Sequence, residues 1–314
     1  MVLACDLGGT NLRMAVVDAE GKILHFLKVD TPRTESVAEI VQVIVVAAKH
    51  CRTAVQHFGE VKAFAAAVPA TLNAAEGIIL KAPNISALDE FRFSSAVSNE
   101  SNLPVILEND AIAAAIGEQS FGAAKGFENA VIVTLGTGVG GGIIINGNIL
   151  RGIDGTAGEI GHICVEQFGA PCGCGSRGCV EQYSSATTIV RLARELVNQY
   201  PNLVLKNKLR MTSFDVYQAG IEGDELALEV FRRMGFYLGS ALADLVNILN
   251  PEVIVIGGGA SAAWDLFIHH VRHRIRKHAF KEPAESVKIV RSHLGDGVAG
   301  ILGASKLAFD IIGL

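Results

Sequence analysis

Apolar residues along this chain follow two rhythms. Short apolar runs bounded by Gly, Asp, Asn or Pro predict strands, and apolar residues recurring every three or four positions predict helices. Val2–Cys5, Leu12–Val17 and Ile23–Val29 are the first runs, the last after a turn at Asp18–Lys22. Ser36-Val37-Ala38-Glu39 has the form of a capping box. Behind it Val37, Ile40, Val41, Ile44 and Ala48 share one helical face, so a helix is expected to about His57. Val61–Val68 reads as a buried strand ending at Pro69, and Lys81-Ala82-Pro83-Asn84 as a loop. Val105–Glu108 reads as a short strand, after which Asn109-Asp110 leads into an Ala-rich helix over Ala111–Gln119.

Residues 131–150 repeat the opening. Val131–Leu135 is a strand, Gly136–Gly142 a glycine loop, Ile143–Ile145 a strand and Asn146–Asn148 a turn. Leu7-Gly8-Gly9 through Asp18 matches Leu135-Gly136-Thr137 through Asn146 at a constant offset, with no insertion between them. Two copies of a strand–loop–strand unit suggest two similar halves facing one cleft. Further on, Ser184 or Ser185 caps a helix to Tyr200, stopped by Pro201. A long helix spans Asp224–Leu249, Val253–Ile256 is a buried strand, and Gly257–Ser261 leads into another helix. Val287–Val290 is the last strand and Gly297–Ile312 a terminal helix. Alternating strands and helices predict an α/β architecture.

Composition narrows the classes. The 314 residues allow two domains, and 50% hydrophobic against 19% charged residues describes a globular chain. A net charge of −5 offers no footprint for nucleic acid. Mean hydropathy is +0.37, yet the longest apolar runs, Ala63–Ala70 and Val43–Ala48, fall far below the roughly 20 residues of a membrane span. MVLACDLGGT has no basic segment before an apolar one, so no signal peptide is expected and the cytoplasm is the expected location.

Of six cysteines, three fall within the short stretch Cys172–Cys179. With His162 they make the pattern H-x9-C-x-C-x4-C, bracketed by Glu159 and Glu181. Thiolate and imidazole suit zinc, and four such ligands close a structural tetrahedron with no open position. A set of free thiols on a glycine-rich loop is the alternative. Cys5, Cys51 and Cys164 read as buried small apolar residues.

Three further stretches could carry chemistry. Asp6-Leu7-Gly8-Gly9-Thr10-Asn11 lies between strands, where free backbone N–H groups can hold a phosphate; an ordinary hairpin is the equal alternative. Gly136-Thr137-Gly138-Val139-Gly140-Gly141 formally matches G-x-G-x-x-G, but a strand follows where a dinucleotide fold needs a helix, which favours a second phosphate hairpin. No G-x-x-x-x-G-K-[ST] occurs. Asp110, at a strand-to-helix junction, is placed for a general base, although the residues alone favour a helix cap there.

Together these features resemble the ROK family of sugar kinases, within the actin-like ATPase superfamily. The resemblance rests on Asp6-Leu7-Gly8-Gly9-Thr10-Asn11-Leu12-Arg13, on Leu135–Gly142, and above all on Gly158-Glu159-Ile160-Gly161-His162 followed by Cys172-Gly173-Cys174-Gly175-Ser176-Arg177-Gly178-Cys179-Val180-Glu181-Gln182-Tyr183. It implies two ribonuclease H-like domains with a cleft between them. Residues 1–112 with 300–314 would form the smaller domain, holding the first phosphate loop and part of the sugar site. Residues 113–299 would form the larger, with the second loop, the zinc site and an adenosine turn at Gly257-Gly258-Gly259.

The resemblance also implies roles. Asp110 would take the proton of the attacking sugar hydroxyl. Asn84, Asn109, Glu159, His162 and Glu181 would bond the other hydroxyls, with His162 also a zinc ligand. Asp6 would sit near Mg2+. Gly8, Gly9, Thr10, Asn11, Arg13, Thr137 and Gly138 would serve ATP, and Gly258 would border its adenine. The expected activity is phosphorylation of a hexose by ATP, with glucose at its 6-hydroxyl first. N-acetylmannosamine or N-acetylglucosamine comes second, then fructose or allose. Ala70 after Pro69, and Ile85-Ser86-Ala87-Leu88-Asp89 after Asn84, depart from the family pattern on the sugar side. Sugar-sensing repressors of the family carry a DNA-binding domain ahead of this part; here the loop begins at Asp6, which favours the kinase. A homo-oligomer, dimer or tetramer, is the expectation for such an enzyme.

Overall fold

The computed structural model describes residues 1–200, 203–206, 208–295 and 297–313. Strands β1 (Val2–Leu7), β2 (Asn11–Val17) and β3 (Ile23–Asp30) form an antiparallel meander. Helix α1 (Val37–Ala54) returns the chain to β4 (Ala63–Val68), which lies parallel to β1. After a hairpin, β5 (Thr71–Asn73) and β6 (Ile78–Lys81), and helix α2 (Phe93–Ser101), strand β7 (Val105–Asn109) joins parallel to β4. The sheet order is β3-β2-β1-β4-β7.

Helix α3 (Asp110–Phe121) leads to the second copy: β8 (Ala130–Leu135), β9 (Val139–Ile145) and β10 (Asn148–Ile149). Then come α4 (Glu181–Ser184), α5 (Ala186–Leu196), α6 (Leu203–Lys206), α7 (Ser213–Ile221) and α8 (Glu225–Leu249). Strand β11 (Val253–Gly257), α9 (Trp264–His278), α10 (Lys281–Ser286), β12 (Lys288–Arg291) and α11 (Val298–Ile312) complete the chain. The second sheet, β10-β9-β8-β11-β12, repeats the order of the first. Strands β8 and β9 begin and end at the constant sequence offset from β1 and β2 that the duplicated motif predicts. Leu7 pairs with Leu12 but Leu135 pairs with Val139, so the second hairpin is one residue tighter.

Strand β4 shows why an Ala-rich run becomes a buried strand. All six of its residues are buried. Phe64, Ala66 and Val68 face the core under α1 with Ile40, Ile44 and Cys51. Ala63, Ala65 and Ala67 face α11, against Ala304, Ala308 and Phe309. Small side chains on this second face let the terminal helix lie close to the sheet. On the other sheet, Val131, Val133, Ile254 and Ile256 pack on α8, while Ile132, Ile144, Val253 and Val255 gather with Ala115 of α3. Helix α11 on the first sheet crosses α3 on the second with backbones nearly touching: a Cβ at Gly303 would overlap the carbonyl of Ala113.

Several local readings need correction. Ser36 Oγ accepts the Glu39 N–H at 3.4 Å, but the Ser36 N–H goes to Thr34 Oγ1, so the reciprocal half of the capping box is absent. The complete box is at α7, between Thr212 and Asp215. Ser185, one of the two expected serines, caps α5, accepting the Thr188 N–H at 3.2 Å, but the helix ends at Leu196, short of Tyr200; the stop at Pro201 lies outside the described residues. Cys164, expected to be buried, is exposed, unlike Cys5 and Cys51. The glycine loop expected over 136–142 spans only 136–138. Gly140, Gly141 and Gly142 are strand residues that lack side chains because Ala111, Ile160 and Ala115 press on them. The β5–β6 hairpin and α2 carry no clear periodic signal.

Candidate active site

A cleft of about 1600 Å³ is lined from both sheets, and its walls include every sequence-expected site residue except the three cysteines. The β7–α3 junction is part of this lining. Asn109, not Asp110, caps α3: its Oδ1 accepts the N–H groups of Ala111 and Ile112 at 2.9 and 3.1 Å. Its Nδ2 donates to the carbonyl of Ala70 at 3.2 Å. Asp110, at the first helical position, shares only the Ala111 N–H, at 2.9 Å, and lines the cleft. Burial pushes the Asp110 carboxyl up to about 6, with the charge of Glu159 adding to the rise and the Ala111 N–H opposing it.

The junction holds two residues that the sequence did not mark. Glu108 is 3% exposed, accepts the Asn109 N–H at 2.9 Å through Oε1, and pairs with Arg151 Nη1 at 2.6 Å through Oε2. The pair joins β7 of one sheet to the loop after β10 of the other. A Glu ending a strand just before Asn-Asp was the available signal, but the partner lies 43 residues away.

The first glycine loop closes by a bond from Gly8 N–H to the Asn11 carbonyl at 2.9 Å. Gly9 lies against Asn84, where a Cβ would sit 3.0 Å from the Asn84 Cβ, so the first glycine loop and the loop after β6 touch. Asp6 is paired with Arg13 at 3.1 Å beside Gly297, whose φ of +74° and close approach to Arg13 leave no room for a side chain. The second loop closes between Gly136 N–H and the Gly138 carbonyl at 2.9 Å. Thr137 is exposed in the cleft, and Gly258, at φ +81°, abuts the Leu135 backbone at the end of β8.

Glu181, at the start of α4, ties the second loop to the cysteine segment. Its Oε2 accepts the Val139 N–H at 3.0 Å and lies so close to Gly138 that a Cβ there would overlap it. Glu159 and His162 face the cleft together, with Oε2 and Nε2 3.9 Å apart.

The other ring nitrogen of His162 faces the cysteines. Nδ1 is 3.6 Å from Cys172 Sγ, Cys174 Sγ is 3.7 Å from Cys179 Sγ, and all four donor atoms lie within 4.8 Å of one another. Tetrahedral zinc bonded at about 2.3 Å to sulfur and about 2.0 Å to nitrogen sets sulfurs about 3.8 Å apart and nitrogen about 3.5 Å from sulfur. The donor set therefore fits zinc in type and spacing. Zinc on Nδ1 would fix the tautomer and leave Nε2–H as a donor toward the cleft.

Comparison with known proteins identifies this arrangement. The ROK family model matches residues 2–311. The chain belongs to the ROK family. This ROK protein is 38% identical over 310 residues to a glucokinase of Halalkalibacterium halodurans, covering 96% of this chain and 93% of that one. It is 34% identical to a ROK family glucokinase from Streptomyces griseus whose crystal structure contains glucose and AMPPNP, with a TM-score of 0.84 over 98% of both chains. The xylose repressor of Bacillus subtilis is 31% identical over 216 residues, 69% of this chain but 53% of the repressor. The two facing sheets are those of the actin-like ATPase fold. Among the described residues no helix is long and apolar enough to cross a membrane.

Proposed function

We propose that this protein transfers the γ-phosphoryl group of ATP to the 6-hydroxyl of glucose. The observation that carries this is Asp110, raised to about 6 and set in one cleft with two glycine loops and the Glu159–His162 wall. The whole-chain likeness to glucokinases supports both substrates.

In this reading the sugar lies between Asp110 and the wall of Asn84, Asn109, Glu159, His162 and Glu181. Phosphoryl transfer has a loose transition state, so alignment and charge neutralisation supply most of the rate. Asp110 orients the hydroxyl and takes its proton as the bond to phosphorus forms. At pH 7, a carboxyl titrating near 6 is about nine-tenths ionised, yet basic enough to receive a proton. Thr10, Asn11, Thr137 and Gly138 hold the phosphates, Gly8 and Gly9 let them approach, and Gly258 borders the adenine. Mg2+ arriving with ATP would neutralise phosphate charge beside Asp6, whose position Arg13 sets. Zinc held by His162, Cys172, Cys174 and Cys179 would do no chemistry; it would fix the wall.

The proposed division is 1–112 with 300–314 against 113–299, the two lobes closing on sugar to exclude water. A metal site built on three cysteine thiolates suits a reducing compartment, so the cytoplasm is the proposed location. A homo-oligomer is also proposed, to be tested by light scattering. The function itself is tested by a coupled ATP assay over glucose, mannose, fructose, allose and the N-acetylhexosamines. Glucose should give the highest kcat/KM; a higher value for another sugar overturns the assignment.

A further inference from the structure

Both glycine loops are braced from behind in the same way. Thr31, 5% exposed and outside the cleft lining, donates its hydroxyl to the Gly8 carbonyl at 2.7 Å and its N–H to the Thr10 carbonyl at 3.0 Å. Thr187, in the first turn of α5, donates its hydroxyl to the Thr137 carbonyl at 2.9 Å, and its neighbour Ala186 donates N–H to the Gly136 carbonyl at 2.8 Å. A trans peptide points its C=O and N–H in opposite directions. Turning the carbonyls of Gly8, Gly136 and Thr137 toward these partners turns the N–H groups of Gly9, Thr137 and Gly138 the other way. Those three N–H groups have no partner among the described residues.

The brace answers a weakness of the loops. The peptide after Gly8 is flanked by glycine on both sides and the one after Thr137 on one side. Glycine imposes little barrier to rotating such a peptide over. A flipped peptide would present a carbonyl oxygen, with its partial negative charge, to a bound triphosphate.

We propose that Thr31 and Thr187 are positioning residues that lock the two loops with their N–H groups toward the phosphates. This rests on the reading that the loops hold ATP. The test compares Thr31→Val, Thr31→Ser, Thr187→Val and, as a control on that reading, Gly9→Ala. Thr31→Val keeps the shape and removes the donor. It should raise KM for ATP roughly fivefold to thirtyfold, the range that loss of one hydrogen bond to a part-buried carbonyl gives. Thr187→Val, at an exposed site, should raise it roughly twofold to fivefold. Glucose affinity measured without nucleotide should stay at the wild-type value, and Thr31→Ser should restore KM for ATP. A general loss of structure would move both substrates and would not be rescued by Ser. An unchanged KM for ATP in Thr31→Val overturns the brace, provided Gly9→Ala raises it. If Gly9→Ala is also silent, the phosphate reading of the loop falls with it. Should Thr31→Val not fold, Thr187→Val carries the same test.

Discussion

Asp110 should weaken the fold that it serves. Its carboxyl is raised from 3.8 to about 6, with burial the largest cause. Each pK unit corresponds to about 1.4 kcal/mol, so two units amount to about 3 kcal/mol. Asp110 is only partly buried where it lines the cleft, and solvent screening reduces this toward about 2 kcal/mol. The sign follows from the direction of the shift. The folded protein holds the proton more tightly than the unfolded chain, so below pH 3.8, where both are protonated, Asp110 costs nothing. The penalty grows as pH rises from 3.8 to about 6 and is complete above that. Asp110→Asn is nearly isosteric, carries no charge, and keeps an oxygen for the Ala111 N–H that Asp110 accepts at 2.9 Å. It should therefore stabilise the ligand-free protein by about 2 kcal/mol at pH 8 and by about a quarter of that at pH 4. The same variant should lose at least about a hundredfold in kcat. Urea unfolding of both proteins across this pH range reads the first effect, and the coupled assay the second. A variant that is less stable at pH 8, or whose advantage does not change with pH, would refute the view that Asp110 is ionised at a desolvated site.

Three other outcomes are expected. Glu159→Gln removes the charge that helps raise Asp110, so the acid limb of kcat/KM, expected near pH 6 in the wild type, should move down by less than one unit because burial is the larger cause. An upward or absent movement would separate the two carboxylates. Cys179→Ser, at a fully buried member of the proposed zinc set, should lose zinc by elemental analysis and lower the melting temperature; a wild type free of zinc and fully active would remove the structural metal. Gly303→Ala forces α11 away from the Ala113 carbonyl and should destabilise by about 1–3 kcal/mol in thermal unfolding. An unchanged melting temperature would mean that the helix crossing has slack.

Much of the site could be read in the chain because its signals are local. The glycine loops stand out between short apolar strands, and the four zinc donors all fall in the one segment from His162 to Cys179. Readings failed where one local pattern serves two purposes. Asn109-Asp110 looked like a cap with a carboxylate in it. Both a helix N-terminus and a general base call for a side-chain oxygen at that junction, and only the backbone path shows Asn109 taking the cap while Asp110 shares just the Ala111 N–H and lines the cleft. The glycines at 140–142 looked like loop because glycine is a turn residue. They are strand because α3 and Ile160 leave no space for side chains, and that demand arises from elements distant in the chain.

The strand-and-loop units, their duplication, the donor set for zinc and the family are all legible in the order of the residues. Alternation, turn residues and ligand spacing act over a few positions, so no folding is needed to see them. What those units face is a matter of packing. The folded chain brings Glu108 to Arg151, Thr31 to Gly8, Thr187 to Thr137 and Glu181 to Val139. It also buries Asp110 enough to shift its titration. Each of these depends on desolvation or on a hydrogen bond between distant segments, which exist only once two sheets and the helices between them have packed.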